Sequence, residues 1–263
     1  MRVERLSVEL GQRCAKACSF CYSASRPDGE TRWTEDDVVR LVTDCAANGT
    51  RAVSFGGGEP LEVAWLGALL ARLEGVVFRS VTTNGLPLLD AGVFGALLRA
   101  RPDKVHVSIH APGSDAEVAR VIEQARALAA AGVASGINLL VRRSALEEAA
   151  RARRAIAAAG IGPERVVLLP MRGADTPTPD EIARVAAGPF QSMSCLVRCG
   201  ASPRFAAIGW DRTAAWCSYT TSRAPLDAPT HAALARALDG LGVAPCAGLL
   251  PTLVRRGAAI LRA

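Results

Sequence analysis

Three cysteines within eight residues, Cys14, Cys18 and Cys21, are the densest chemistry in this chain. Thiolates are soft ligands suited to iron and zinc. With three and then two residues between them, they can fold round one corner of an iron–sulfur cluster and ligate three of its irons. The fourth iron is then open to a substrate or cofactor. The competing reading is a zinc site closed by a fourth cysteine. Farther along, Gly57-Gly58-Glu59-Pro60 combines residues that let backbone approach a ligand with one carboxylate, although a glycine run alone is equally a tight turn. A second cysteine set, Cys195, Cys199, Cys217 and Cys246, follows late in the chain. Cys45 lies in an apolar helical stripe with Leu41 and Val42 and reads as core.

The elements that must position these residues alternate. Val3 to Leu10, Arg51 to Phe55, Val76 to Thr82, Lys104 to Ile109, Ala134 to Val141 and Arg165 to Leu169 read as strands. Between them lie a helix capped by Thr34 with Asp36 and Asp37 in its first turn, and helical patterns over Leu61 to Glu74, Leu88 to Ala100, Ser114 to Ala131 and Ala145 to Ala159. Repeated βα units imply parallel strands with right-handed crossovers, and six of them make an open or incomplete barrel. The chemically suggestive residues cluster at the expected C-terminal strand ends, where parallel α/β folds bind ligands: the cysteine loop, the glycine turn, Asn84, Ser108 with His110, Asn138, and Met171 after Pro170.

The pattern changes after Gly188-Pro189. A two-strand ribbon is expected from Phe205 to Ile208 and Ala214 to Cys217, with Trp210 to Thr213 at its tip. Helices are expected over Pro229 to Leu241 and Thr252 to Leu261. The reading therefore divides the chain into a barrel domain over 1–188 and a small subdomain over 189–263.

Half of the 263 residues are hydrophobic and 21% are charged, which fits a folded globular chain with a full core. No uninterrupted apolar stretch is long enough for a membrane helix, and the N-terminus lacks a signal-peptide pattern, so the expectation is a cytoplasmic protein without a membrane partner. Eight cysteines in a reducing compartment point to metal ligation or catalysis rather than disulfides. The net charge of +6 comes almost wholly from arginine, since Lys16 and Lys104 are the only lysines. These arginines are scattered over helix faces without interleaved aromatics, which argues against a nucleic-acid partner.

Through Cys14, Cys18, Phe20 and Cys21, and through Gly57-Gly58-Glu59-Pro60, the chain resembles the radical S-adenosylmethionine (SAM) superfamily. The resemblance implies a six-stranded partial TIM barrel, (β/α)6, of parallel strands, with a SAM-binding 4Fe-4S cluster on the three cysteines. The open iron would chelate the methionine part of SAM, and reductive cleavage would give a 5′-deoxyadenosyl radical able to take hydrogen from an unactivated carbon. Phe20 would lie near the adenine. The cofactor contacts then comprise Phe20, Gly57, Gly58, Glu59, Asn84, Ser108, Asn138 and Met171, with Asn84, Ser108 and Asn138 as candidates for the SAM carboxylate and ribose. His110 is the candidate acid–base or substrate-contacting group, against the bland reading of a satisfied turn histidine.

The segment from Cys199 through the ribbon to Cys217 resembles the hairpin of SPASM and twitch extensions, which implies a second, auxiliary 4Fe-4S cluster on Cys195, Cys199, Cys217 and Cys246. Arg212 stands where that hairpin usually has a turn glycine, and the later close cysteine pair is missing, so at most one auxiliary cluster is expected. Buried free thiols are the alternative.

The expected function is hydrogen abstraction from a peptide or other natural-product substrate, with oxidation, crosslinking or epimerisation as the outcome. Turnover would draw on an electron donor such as flavodoxin or ferredoxin. Only 13 residues precede Cys14, so a peptide substrate would call for a separate leader-peptide-binding protein or a short recognition surface. A sugar or nucleoside substrate is the second reading, and a non-catalytic electron carrier or SAM-binding regulator is the third.

Overall fold

The computed structural model describes residues 3–193, 200–202 and 204–244. Cys195, Cys199, Cys246 and the helix expected over Thr252 to Leu261 lie outside the described residues. The chain forms two compact units. The first holds the residues up to Val105 together with Ala131–Ala134 and Ala201–Ala244, and the second holds His106–Ala130 and Ser135–Gly200.

In the first unit, β1 (Arg5–Glu9) buries Leu6 and Val8 on one face and ends with Glu9, which is buried as well. It pairs in parallel with β2 (Ala52–Gly56), and β2 pairs in parallel with β3 (Phe78–Thr83). Between β1 and β2, helix α1 (Glu35–Ala47) opens at Thr34, whose hydroxyl accepts from the Asp37 N–H, and its buried stripe is Val38, Leu41, Val42 and Cys45. After β2 the expected helix over Leu61 to Glu74 is shorter than its apolar spacing suggests. Pro60–Glu62 makes a single 3-10 turn, Val63 is extended at φ −88°, ψ 112°, and α2 runs only over Leu66–Arg72. Helix α3 (Ala91–Arg99) follows β3, with Asp90 as its cap accepting from the Gly92 and Val93 N–H groups.

The second unit continues the alternation through β4 (Lys104–Ile109), which starts in the first unit, α4 (Asp115–Ala130), β5 (Ala134–Val141), α5 (Leu146–Ala158) and β6 (Val166–Pro170). Strands β5 and β6 pair in parallel. Helix α6 (Pro179–Ala186) and the short strand β7 (Gln191–Ser192), parallel to β6, are additions to the sequence expectation. The α6 start carries a capping box in which Thr178 and Glu181 satisfy each other's backbone N–H groups.

The ribbon is present as β8 (Phe205–Ile208) antiparallel to β9 (Thr213–Ala215), extended by β10 (Ala224–Pro225) and followed by α7 (His231–Leu238). Its first strand does something the sequence does not announce: β8 lies parallel beside β1, pairing Arg5 with Phe205 and Val8 with Ile208. The strand order in the first unit is therefore β10-β9-β8-β1-β2-β3, and in the second β4-β5-β6-β7. This is a mixed α/β, mostly parallel architecture, consistent with a partial barrel. Leu6, Leu10, Phe55, Leu69 and Leu70 are fully buried in the first unit, and Ile109, Leu128, Ile137 and Ile156 in the second. Each such side chain contributes about 1.5–3 kcal/mol relative to exposure. Among the described residues no helix is long and apolar enough to cross a membrane.

Candidate functional site

The cysteine loop leaves the end of β1 and is closed at its base by backbone. The Cys14 N–H donates to the Arg26 carbonyl (2.9 Å) and the Arg26 N–H to the Gln12 carbonyl (3.1 Å), which gathers the intervening residues into one compact excursion. Inside it, the Cys21 N–H donates to the Cys18 carbonyl and the Ala24 N–H to the Cys21 carbonyl, both at 3.1 Å. Two alanines, Ala17 and Ala24, take left-handed backbone angles (φ 46° and 48°), a conformation that costs an L-residue about 1–2 kcal/mol. Cys14 is buried, while Cys18 and Cys21 are half-buried.

The glycine segment at the end of β2 docks directly on this loop. The Glu59 N–H donates to the Arg13 carbonyl (2.8 Å). The Gly58 N–H donates to Ser25 Oγ (3.1 Å), and the Ala15 N–H donates to Glu62 Oε1 (3.0 Å). Gly57 and Gly58 have φ of +73° and +56°, and a Cβ on Gly58 would overlap the Arg13 carbonyl oxygen, while one on Gly57 would overlap the Glu9 side chain. Glycine is thus required twice over, by backbone angle and by close approach.

From β3, Asn84 reaches the same place: its Nδ2 lies 3.6 Å from Cys14 Sγ. Glu59 orders that turn, accepting from Thr83 Oγ1 (2.7 Å) and from the Asn84 N–H (2.8 Å). Burial pushes the Glu59 carboxyl up to about 7, against the lowering effect of these hydrogen bonds. Burial likewise raises the Cys14 thiol, partly countered by the N–H groups of Lys16 and Ala17. At Cys21 burial also pushes upward and is the largest single influence, but hydrogen bonds from Ser23 and Ser25 together outweigh it and the thiol is lowered.

These residues fit an iron–sulfur cluster. They offer three soft donors on one loop, a polar group directed at a sulfur, and a glycine segment whose backbone can approach a ligand. Among the described residues no group of three or more His, Cys, Asp or Glu side chains is placed to hold a single metal ion. A cubane spreads its ligands over separate irons.

Glu9 and Tyr22 extend the site beyond the residues that sequence reasoning singles out. Glu9 ends β1 buried, at 8% exposure, and the Tyr22 hydroxyl and the Trp210 backbone N–H both favour its charged form. Burial pushes its carboxyl up to about 7, with Arg223 drawing it back down. The Tyr22 ring meets that of Tyr219 at 4.6 Å, which joins the residue after Cys21 to the strap that carries Cys217. Cys217 is half-buried, and its sulfur accepts from the Tyr219 N–H at 3.4 Å. Glu62, three residues after Glu59, had a spacing cue. Glu9 and Ser25 had none, because a polar residue at a strand end or in a turn is commonplace.

Of the other candidates, Ser108, His110, Asn138 and Met171 belong to the second unit. Ser108 is buried near the end of β4, and His110 follows that strand, half-buried, with its N–H donating to Glu117 Oε1 (2.6 Å). The Ala111 N–H shares that acceptor at 3.2 Å, so Glu117 shapes this turn. Asn138 is buried in the middle of β5, opposite Val167, rather than at the strand's end. Met171 directly follows β6 and donates its N–H to the Val141 carbonyl (2.8 Å). Phe20 is half-buried on the cysteine loop.

Comparisons with known proteins place the fold and the family. Over 114 residues the chain is 31% identical to a probable GTP 3′,8-cyclase of Methanocella arvoryzae, covering 43% of this chain and 36% of that protein. Over 166 residues it is 25% identical to the PqqA peptide cyclase of Granulibacter bethesdensis, covering 59% and 44%. The chain thus spans less than half the length of either curated relative. Among solved structures, Streptococcus suis SuiB bound to precursor peptide SuiA superposes with a TM-score of 0.64 at 16% identity, covering 82% of this chain and 59% of that one. Native anSMEcpe with bound AdoMet and Cp18Cys peptide gives 0.62 at 14% identity, covering 88% and 80%. A family model for the radical SAM superfamily matches residues 8–171, which takes in the cysteine loop, the glycine segment and the strands that carry them, and the chain belongs to that superfamily.

Proposed function

We propose that this radical SAM enzyme abstracts hydrogen from a peptide substrate of the ribosomally made natural-product type. The observation that carries the site assignment is the mutual docking of the cysteine loop and the glycine segment, sealed by the Glu59-to-Arg13 backbone bond. In this reading Cys14, Cys18 and Cys21 hold the cluster. Gly57, Gly58, Glu59, Asn84 and Phe20, all of the first unit, serve SAM. When bound, the cluster and SAM supply a 5′-deoxyadenosyl radical that takes a hydrogen atom from substrate.

The chain's own residues have preparatory tasks. The glycines keep side chains out of the approach to the loop. Glu59 fixes the turn that aims Asn84 at Cys14, and Glu62 holds the Ala15 N–H. Residues 189–263 are read as a twitch-like segment in which Cys217, with Cys195, Cys199 and Cys246, holds one auxiliary 4Fe-4S cluster suited to accepting an electron in a net oxidation. A flavodoxin or ferredoxin would supply reducing equivalents in the cytoplasm, and a separate leader-binding protein could present the peptide.

Support for a peptide comes from the SuiB and anSMEcpe structures, each solved with a bound peptide, and from the PqqA peptide cyclase relative. A second reading, a nucleotide substrate, is favoured by the GTP 3′,8-cyclase relatives. The two separate on one assay: formation of 5′-deoxyadenosine by the dithionite-reduced enzyme in the presence of GTP, or of a short peptide encoded beside the gene. A peptide that stimulates cleavage and changes in mass supports the proposal, and stimulation by GTP with an inert peptide overturns it. Absence of any 5′-deoxyadenosine from protein carrying its full iron and sulfide would favour a non-catalytic carrier. Iron left in a Cys14/Cys18/Cys21 triple-alanine variant would support the auxiliary site, and iron-free protein would rule it out.

A further inference from the structure

We propose that Ser23 and Ser25 form a hydroxyl relay from the Gly58 N–H to the Cys21 sulfur that raises the reduction potential of the cluster. The inference rests on the reading that Cys21 is a cluster ligand, and it assigns to the two serines a role that the ligand set does not contain.

The relay is continuous. The Gly58 N–H points at Ser25 Oγ (3.1 Å), Ser25 Oγ lies 2.8 Å from Ser23 Oγ, and Ser23 Oγ lies 3.4 Å from Cys21 Sγ. Its direction follows from its ends. The backbone N–H at Gly58 only donates, so it occupies an acceptor position on Ser25, and a ligating thiolate at Cys21 only accepts. Each serine then receives one hydrogen bond from the glycine side and passes its own proton toward the sulfur. Ser25 is buried at 7% exposure, which shields the central link from competing water. The left-handed turn at Ala24 (φ 48°) lies between the two serines and lets hydroxyls two residues apart meet. A strained alanine at that point is hard to explain by packing, because Ala24 itself is exposed.

The electrostatic sign is definite. Adding an electron to the cluster increases negative charge on its sulfurs, and an O–H dipole donated to a ligand sulfur stabilises that charge more in the reduced state than in the oxidised one. The relay therefore makes the cluster easier to reduce. It also joins a ligand sulfur to the glycine segment through two side chains, so a shift of that segment changes the donor strength at Cys21.

The test is a redox titration of the loaded enzyme before SAM is added, followed by the paramagnetic signal of the reduced cluster. Parent, Ser23→Ala, Ser25→Ala and Ser23→Thr proteins are compared at matched iron and sulfide. The expected result is a midpoint shifted to more negative potential in Ser23→Ala, a smaller shift in the same direction in Ser25→Ala, and recovery toward the parent in Ser23→Thr. An unchanged or more positive midpoint in Ser23→Ala overturns the proposal, as does a threonine variant shifted as far as alanine. If Ser23→Ala does not retain iron, Ser25→Ala decides in the same way, and loss of iron from both makes the serines structural and ends the proposal. Iron content of Cys21→Ala reports separately on ligation: a full cluster there would refute the ligand assignment and leave no relay to test.

Discussion

The Arg212 guanidinium lies 4.9 Å from the centre of the Trp33 ring, although Arg212 itself occupies a left-handed backbone conformation (φ 63°) at the tip of the β8–β9 hairpin. Its Nε donates to the Arg32 carbonyl (2.9 Å), and its terminal nitrogen pairs with Asp37 in the first turn of α1. Trp33 Nε1 in turn donates to the Gly209 carbonyl (2.9 Å). The residue that stands in place of a turn glycine thus offsets its backbone cost by pinning the hairpin to the segment before α1.

Two substitutions at Arg212 separate those contributions. Arg212→Ala keeps the unfavourable φ and removes the contacts, so a loss of about 2 kcal/mol is expected from the cation–π and charge terms. Arg212→Gly also removes the contacts but regains about 1 kcal/mol of backbone strain. In urea unfolding the glycine variant should be the more stable of the two. The reverse order would show that backbone angle is not the limiting term.

Gly58→Ala should uncouple the glycine segment from the cysteine loop, because the new Cβ overlaps the Arg13 carbonyl and the φ of +56° disfavours any side chain. Iron bound per chain after reconstitution should fall severalfold, while Gly67→Ala, where a Cβ meets nothing within 4 Å, should load like the parent.

Glu9 gives the fold a pH dependence of unusual sign for a carboxylate. Its folded-state value is raised from 4.5 to about 7, so the native state binds the proton more tightly than the unfolded chain does. Its contribution is fully present below 4.5 and is lost as pH rises through about 7, in total by about 3 kcal/mol. Glu59, also raised to about 7 by burial, adds a fall of the same sign, so Glu9→Gln should roughly halve the loss of thermal stability between pH 5 and 8 relative to the parent. An equally steep fall in the variant would assign the dependence to other groups.

Glu59→Ala removes the acceptor for Thr83 Oγ1, the Asn84 N–H and the Leu61 N–H in a buried turn. Two or three orphaned donors predict a loss of about 2–4 kcal/mol in chemical denaturation. Retention of parental stability would mean that water replaces the carboxylate there.

Much of this was legible in the sequence, because it rests on local rules. Thr34 caps α1, and β4 and β5 span the very residues that the sequence marks as strands. The cysteine loop and the glycine segment stand out through the close spacing of their cysteines and glycines, which is visible without any tertiary information. What escaped depends on tertiary placement. The spacing over Leu61 to Glu74 looks helical, yet Val63 is extended and the first turn is 3-10, because Glu59 turns its carboxylate inward to Thr83 and Asn84 and so fixes how the following segment leaves β2. Asn138 looks like a strand-end polar residue and is instead buried in mid-strand. Helix α6 is hard to read from the sequence despite its Thr178–Glu181 capping box, since it is a short helix beside a Gly-Pro break.

The parallel pairing of β8 with β1 has a consequence for how the chain behaves among its own copies. Without the ribbon, β1 would present a row of unpaired N–H and C=O groups along its outer side, and such an open flank recruits strands from neighbouring molecules. The ribbon occupies that flank, and the two-residue strand β10, ending in Pro225, leaves only a short template at the new margin. The late segment that carries Cys217 is therefore also a guard against self-association, and a chain shortened before Phe205 would be prone to aggregate for reasons unrelated to its chemistry.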